Sequence, residues 1–229
     1  MIGRIAAGVG LAVTAVLATA CGSSSSGGSQ GVTVSPAGVQ NANGCTKGPA
    51  LQTKHLTFGH EPAMTISHTA YTARVVTNCG TIIVALDGKA APHTVNSFNF
   101  LAGKGFFTDT PCHRLTTSGI FVLQCGDPTG TGTGGPGYTI PDENLSGATY
   151  PAGTLAMANT GQPHTGGSQF FFVYANTSLP PQYTPFGHVT SGLGVLTRIA
   201  KAGTDDSNGP GDGSPKQPVV IESFTVTKG

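Results

Sequence analysis

Short apolar runs broken by turn residues, rather than long helical periods, set the pattern of this chain. Tyr71 to Thr77 and Thr81 to Leu86 are two apolar, β-branched runs separated by Asn78-Cys79-Gly80, and together they predict a hairpin. Cys112 to Asp127 repeats the arrangement, with apolar runs on either side of Thr116-Thr117-Ser118-Gly119. Further strands are expected near Gly153–Ala158 and Gln169–Val173, from Phe186 onward, and over Val219–Val226. Only two stretches read as helices. Pro92 suits a first helical turn, Val95, Phe98, Leu101 and Ala102 fall near helical spacing, and Gly103 supplies a stop. The second is Leu193–Ala200. Many short strands with two small helices predict a mainly β protein, a closed antiparallel barrel.

The segment before residue 70 is organised differently. Residues 1–20 carry one positive side chain, Arg4, and then an apolar run from Ile5 to Ala20, the pattern of a secretory signal. Two endings are compatible with it. Ala18-Thr19-Ala20 fits cleavage after a small residue, and Leu17-Ala18-Thr19-Ala20-Cys21 followed by Gly-Ser-Ser-Ser-Ser resembles a bacterial lipoprotein signal, with Cys21 lipidated. Residues 21–44 read as a flexible Gly/Ser-rich tether. Residues 45–69, interrupted by Gly48-Pro49, Gly59 and Pro62, read as an extension laid against the domain at 70–229.

Composition sharpens this picture. Charged residues make up only 9% of the chain and 35 of the 229 residues are glycine, as suits turn-rich β structure. The formal charge of +1, with Lys and Arg scattered, points away from nucleic acid and from anionic membrane surfaces. A membrane is expected as a partner only through a lipid at Cys21. With Cys21 set aside, Cys45, Cys79, Cys112 and Cys125 remain, an even number that fits an oxidising compartment. Four cysteines allow three pairings. Cys112 and Cys125 flank the turn of the second hairpin, which favours Cys112–Cys125 and leaves Cys45–Cys79 for the extension; free buried thiols are the alternative.

Several familiar chemistries find no support. Gly132-x-Gly134-x-x-Gly137 matches a dinucleotide fingerprint as a string, but Pro136 lies inside it and no helix follows, so a flexible loop is expected. The seven histidines show no metal-binding spacing, and neither a metal nor a cofactor is expected. Ser118 and Ser168 lack a nucleophile elbow. His113 could serve as a general base, but on a strand its side chain faces away from that of Arg114, which favours a structural role. What remains is Arg114, Phe121 and Gln124 on the second hairpin. A buried charge is costly unless paired, so a guanidinium beside an apolar wall suits a site that receives a carbonyl or an amide.

Cys112 to Asp127, together with Met157-Ala158-Asn159 and Ser168-Gln169-Phe170-Phe171-Phe172, resembles the signature of the cyclophilin peptidyl-prolyl isomerases over roughly residues 70 to 228. The resemblance implies an eight-stranded closed barrel capped by a helix at each end. It also implies a monomer that accelerates rotation about X-Pro bonds in exported proteins and needs no nucleophile, metal or cofactor. By position, Arg114, Phe121 and Gln124 would be catalytic. Val122, Ala158, Asn159, Phe171, Leu179 and Tyr183 would bind the proline-containing segment of an unfolded or folding protein. Val122 stands where the family usually has Met, Tyr183 where it often has His, Cys125 where Gly is common, and Ser178 where many members carry Trp. The last change implies weak cyclosporin binding. A proline-peptide binding module or holdase using the same pocket is the rival reading, and retention of Arg114 favours the enzyme.

Overall fold

The computed structural model describes residues 40–51, 56–67 and 69–229. The signal, Cys21 and most of the tether lie outside these described residues. Among the described residues ten strands form one sheet, with two helices packed on it. The strands are β1 (Ala70–Thr77), β2 (Gly80–Asp87), β3 (Thr110–Pro111), β4 (Arg114–Thr116), β5 (Val122–Cys125), β6 (Thr154–Met157), β7 (Phe170–Val173), β8 (Pro185–Ser191), β9 (Asp212–Gly213) and β10 (Val220–Lys228). Helix α1 is Pro92–Gly103 and helix α2 is Leu193–Lys201.

The sheet order is β3-β10-β1-β2-β8-β6-β7-β5-β4-β9, antiparallel throughout. This departs from an eight-stranded closed barrel in two ways. The additional strands, β3 and β9, have two residues each and stand at the two ends of the order. The end strands do not pair with each other, so the sheet curls without a closing ladder. The eight longer strands are the ones the apolar runs mark out.

Side-chain alternation along the strands divides the sheet into two faces. Leu115, Leu123, Phe172 and Leu155 are consecutive cross-strand partners on β4, β5, β7 and β6, and all four belong to the main core. Cys125, Phe170 and Met157 form a parallel row on the same side. Phe98 of α1 enters this core among the rings of Phe107, Phe170, Phe186 and Phe224, with centroids 4.6–5.9 Å away. The residues one step out of phase face the other way and build the candidate site.

Helix α1 begins without a side-chain cap from Ala91. Its first-turn donors are met by a residue distant in the chain: Glu143 Oε1 accepts from His93 N at 2.9 Å, and Oε2 accepts from Thr94 N and Thr94 Oγ1 at 2.9 and 2.8 Å. A carboxylate here satisfies orphan N–H groups and complements the positive end of the helix dipole. Helix α2 buries Val195, Leu196 and Ile199 and carries Arg198 and Lys201 in its last turn, where the dipole favours cations.

Both expected disulfides are present, Cys45–Cys79 and Cys112–Cys125. The first ties the extension to the β1–β2 turn. Asn78 in that turn donates to Thr46 O and Pro218 O and accepts from Val220 N, joining extension, turn and β10.

Candidate functional site

One cross-strand row positions the site. Arg114 on β4 faces Gln124 on β5, Gln124 faces Phe171 on β7, and Phe171 faces Ala156 on β6. The antiparallel register therefore places the guanidinium, an amide and an aromatic ring on one face, opposite the main core.

The apolar part of this face is a cluster of its own. Val122, Tyr150, Ala156, Phe171 and Val173 are buried together, with Ile120, Ala148, Ala158, Leu179 and Tyr183 packed against them. Five residues singled out in the sequence, Val122, Ala158, Phe171, Leu179 and Tyr183, are thus brought together. The rings of Phe171 and Tyr183 meet edge-on at 5.6 Å. Tyr150 holds the edge of the cluster: its hydroxyl donates to Tyr183 O at 2.9 Å and accepts from Tyr183 N at 3.0 Å. Burial pushes the Tyr150 phenol pKa up.

Phe121 lies apart from this cluster. It packs edge-on against Tyr174 at 6.0 Å, while Val122 takes the pocket face. Phe121 lies just before β5, which starts at Val122, so strand alternation does not fix where its ring points. Asn159 is only partly available as a side chain. Its Nδ2 donates to Gln182 O at 2.8 Å and its Oδ1 accepts from Gly161 N at 3.0 Å, which staples two loops beside the cluster.

The polar side is a continuous chain of hydrogen bonds. Asp212 on β9 accepts from Arg114 Nε at 2.8 Å and from Nη2 at 2.6 Å. Arg114 Nη1 donates to Gln124 Oε1 at 3.3 Å, Gln124 Nε2 to Gln169 Oε1 at 2.9 Å, and Gln169 Nε2 to the carbonyls of Gly132 and Gly134. The hydrogen bond from Arg114 holds the Asp212 carboxyl below the usual carboxylate range, and the same contact raises the Arg114 pKa. Arg114 is therefore charged, fixed by a planar two-point contact, and set on the same sheet face as the apolar cluster.

The glycine loop closes on Asp127 rather than running free. Asp127 Oδ1 accepts from Thr129 N and Oγ1, both at 2.7 Å, and Oδ2 from Gly132 N and Gly134 N at 2.6 and 3.1 Å. Burial alone would raise the Asp127 pKa, but these hydrogen bonds outweigh it and the carboxyl lies below its ordinary value. A Cβ at Gly134 would sit 2.0 Å from Asp127 Oδ1, so the tight loop requires glycine there. His113 sits beneath this loop, and neither ring nitrogen has a hydrogen-bond partner among the described residues. Burial lowers its pKa, against the pull of Asp127, and the neutral ring is not placed as a base.

Sequence reading missed Asp212, Gln169 and Tyr150. Asp212 lies in a Gly/Asp/Pro-rich stretch with no periodicity, and only its pairing with Thr116 brings it to Arg114. Gln169 stood inside a recognised motif, yet its role depends on the loop carbonyls that it binds.

Comparison with known proteins agrees with this geometry. Residues 72–226 match the family model described as cyclophilin type peptidyl-prolyl cis-trans isomerase/CLD. The chain belongs to that family. A probable peptidyl-prolyl cis-trans isomerase B of Mycobacterium leprae is 49% identical over 168 residues, covering 67% of this chain and 56% of the relative. Its Mycobacterium tuberculosis counterpart is 51% identical over 166 residues, covering 66% and 53%. The chain thus spans about half the length of these curated relatives. A solved cyclophilin-type isomerase of Cryptosporidium parvum, in the presence of the dipeptide Ala-Pro, superposes with a TM-score of 0.60 at 30% identity, covering 69% of this chain and 99% of that one. As in the cyclophilin fold, a curled antiparallel sheet with two helices carries the site.

Proposed function

We propose that this chain is a peptidyl-prolyl cis–trans isomerase whose central group is Arg114. One relationship carries the reading: the Arg114–Gln124–Phe171–Ala156 row sets a fixed guanidinium on the same face as a separate apolar cluster. A pyrrolidine ring fits against Val122, Phe171, Leu179 and Tyr183. Gln124 and the main chain of Asn159 hold the flanking peptide.

The reaction is rotation about a partial double bond, with an uncatalysed barrier of ~18–20 kcal/mol. At the twisted transition state, conjugation is lost and the prolyl nitrogen gains a lone pair. Arg114 donates to that lone pair. The bond is weak in the planar ground state and strong in the twisted one, so binding is differential and lowers the barrier. Asp212 engages Nε and one N–H of Nη2, which leaves Nη1 and the second N–H of Nη2 as donors for substrate. The 3.3 Å contact of Nη1 with Gln124 is the longest the guanidinium makes with this network, and so the easiest to exchange. A preorganised donor of this kind contributes roughly 3–4 kcal/mol.

The chain acts outside the cytoplasm, on unfolded or folding proteins, tethered by lipid at Cys21. Two disulfides and the 1–21 signal pattern support that location. Ser178 in place of a pocket-rim Trp supports weak cyclosporin binding. Exchange of a short X-Pro peptide by NMR, with Arg114→Ala beside wild type, tests the enzyme reading. Exchange that falls by roughly 10²–10³ in the variant, with the fold intact, is expected. Peptide binding without exchange in wild type would leave a recognition module instead. Mass spectrometry of the mature N-terminus tests the anchor, since an unmodified Cys21 sinks it.

A further inference from the structure

Beyond the proline pocket lies a second cleft, of about 620 Å³, which shares Gln124, Ala158 and Asn159 with the first site. Its far side is the glycine loop from Gly132 to Gly137, and Thr57, from the extension that precedes the family domain, completes the wall. None of the residues lining this cleft is charged.

The extension reaches the cleft through specific contacts. Phe58 N donates to Pro136 O at 2.8 Å, and the Phe58 ring packs edge-on against Phe100 of α1 at 4.9 Å. Farther along, Asn96 of α1 accepts from Thr65 N at 2.9 Å and donates to the carbonyls of Pro62 and Ala63. Glu61 adds a 2.6 Å contact to His93. Gly137 is the fitting on the loop side. Its φ is +90°, and a Cβ there would lie 2.9 Å from Phe58 O and 3.2 Å from Phe58 N. Only glycine lets the two strands of chain approach this closely.

From these contacts we infer that the extension is part of the substrate site, and that Thr57 is a specificity-determining residue for a neutral side chain of the bound peptide outside its proline. This rests on the isomerase reading for its substrate: a peptide held at Gln124 and Asn159 borders the cleft that both residues line. An uncharged lining offers a charged side chain desolvation without a partner, which disfavours it. Thr57 is exposed and its neighbour Phe58 carries the anchoring contacts, so the identity of residue 57 can change without removing what holds the segment.

The test is a charge-reversal pair, Thr57→Arg and Thr57→Glu, in the full chain. The probes are acetylated tetrapeptide amides of the form Xaa-Ala-Pro-Phe and Ala-Xaa-Pro-Phe, with Xaa either Lys or Glu. The quantity read is the Glu-to-Lys ratio of kcat/KM. At one of the two positions that ratio is expected to rise roughly 3- to 10-fold in Thr57→Arg and to fall comparably in Thr57→Glu, as a unit charge a few ångströms away predicts. Ratios that stay within twofold of wild type, or that move the same way in both variants, overturn the proposal. If wild type turns over no peptide, the isomerase reading fails. The same ratio is then taken from dissociation constants by NMR titration, and the same criteria decide the role of Thr57.

Discussion

Arg114 and Asp212 meet through two nearly parallel hydrogen bonds, Nε to Oδ1 at 2.8 Å and Nη2 to Oδ2 at 2.6 Å. They stand 98 residues apart in the chain. The pair is only half-buried, with roughly a third of each side chain exposed, so its contribution to stability is small. Its consequence is orientation, because a bidentate carboxylate fixes the plane of the guanidinium. Asp212→Asn retains the shape but loses the charge and one of the two matched acceptors. A roughly tenfold fall in kcat with KM little changed is expected, read from single-peptide exchange kinetics. Asp212→Glu should recover part of the loss. Equal losses in Asn and Glu variants, or a loss confined to KM, would show that Asp212 does not act through Arg114.

Asp127 governs the glycine loop in the same manner. It is fully buried and accepts four hydrogen bonds from Thr129, Gly132 and Gly134. Asp127→Ala leaves those donors without their acceptor and should lower stability by about 2–3 kcal/mol in urea unfolding. Because Gln169 binds the carbonyls of Gly132 and Gly134, the disturbance should also reach Gln124 and lower activity. A variant with unchanged stability would show that the loop does not depend on this carboxylate.

The contrast between these two aspartates explains what the sequence could reveal. The hairpins, both helices and the Cys112–Cys125 disulfide were legible because each depends on local spacing; Cys45–Cys79, 34 residues apart, followed as the remaining pair. Period-two alternation alone separates Leu115 and Leu123 from Arg114 and Gln124. Arg114, Val122 and Phe171 were legible through motifs. Asp212 and Thr57 were not. Their roles arise from pairings across long stretches of chain, in segments whose composition says only that they turn. The motif also marked Phe121, but its packing against Tyr174 is a contact that no motif carries. The two added strands, β3 and β9, were not legible, since two-residue strands leave no apolar run to read.

Acid should weaken the fold through His113. Burial lowers its pKa below the ordinary ~6.5. A group whose folded pKa is depressed contributes stability above its unfolded pKa and loses it as pH falls toward the folded one. Wild type should therefore lose stability as pH drops below about 6.5, whereas His113→Phe should show a flatter profile between pH ~6.5 and ~5. Thermal unfolding of both proteins across that range measures the difference. Asp127 and Asp212 are also depressed, but they act only below the carboxylate range, near pH ~4 and lower. Parallel profiles for wild type and variant would remove His113 as the source.

The Cys112–Cys125 bond joins stability to function. Its cysteines are 13 residues apart, and closing a loop of this size stabilises by about 3 kcal/mol in the chain-entropy account. Cys112 is two residues before Arg114 and Cys125 directly follows Gln124, so the bond clamps β4 to β5 at the row that aligns guanidinium and amide. Cys112→Ala combined with Cys125→Ala avoids a stray thiol and should shift urea unfolding by about that amount. Activity should fall as well, even where the variant remains fully folded, because the Arg114–Gln124 alignment then depends on two backbone pairings and side-chain contacts alone. A destabilised variant with undiminished kcat would confine the disulfide to the fold. A loss of kcat at full folding would make the site sensitive to reduction.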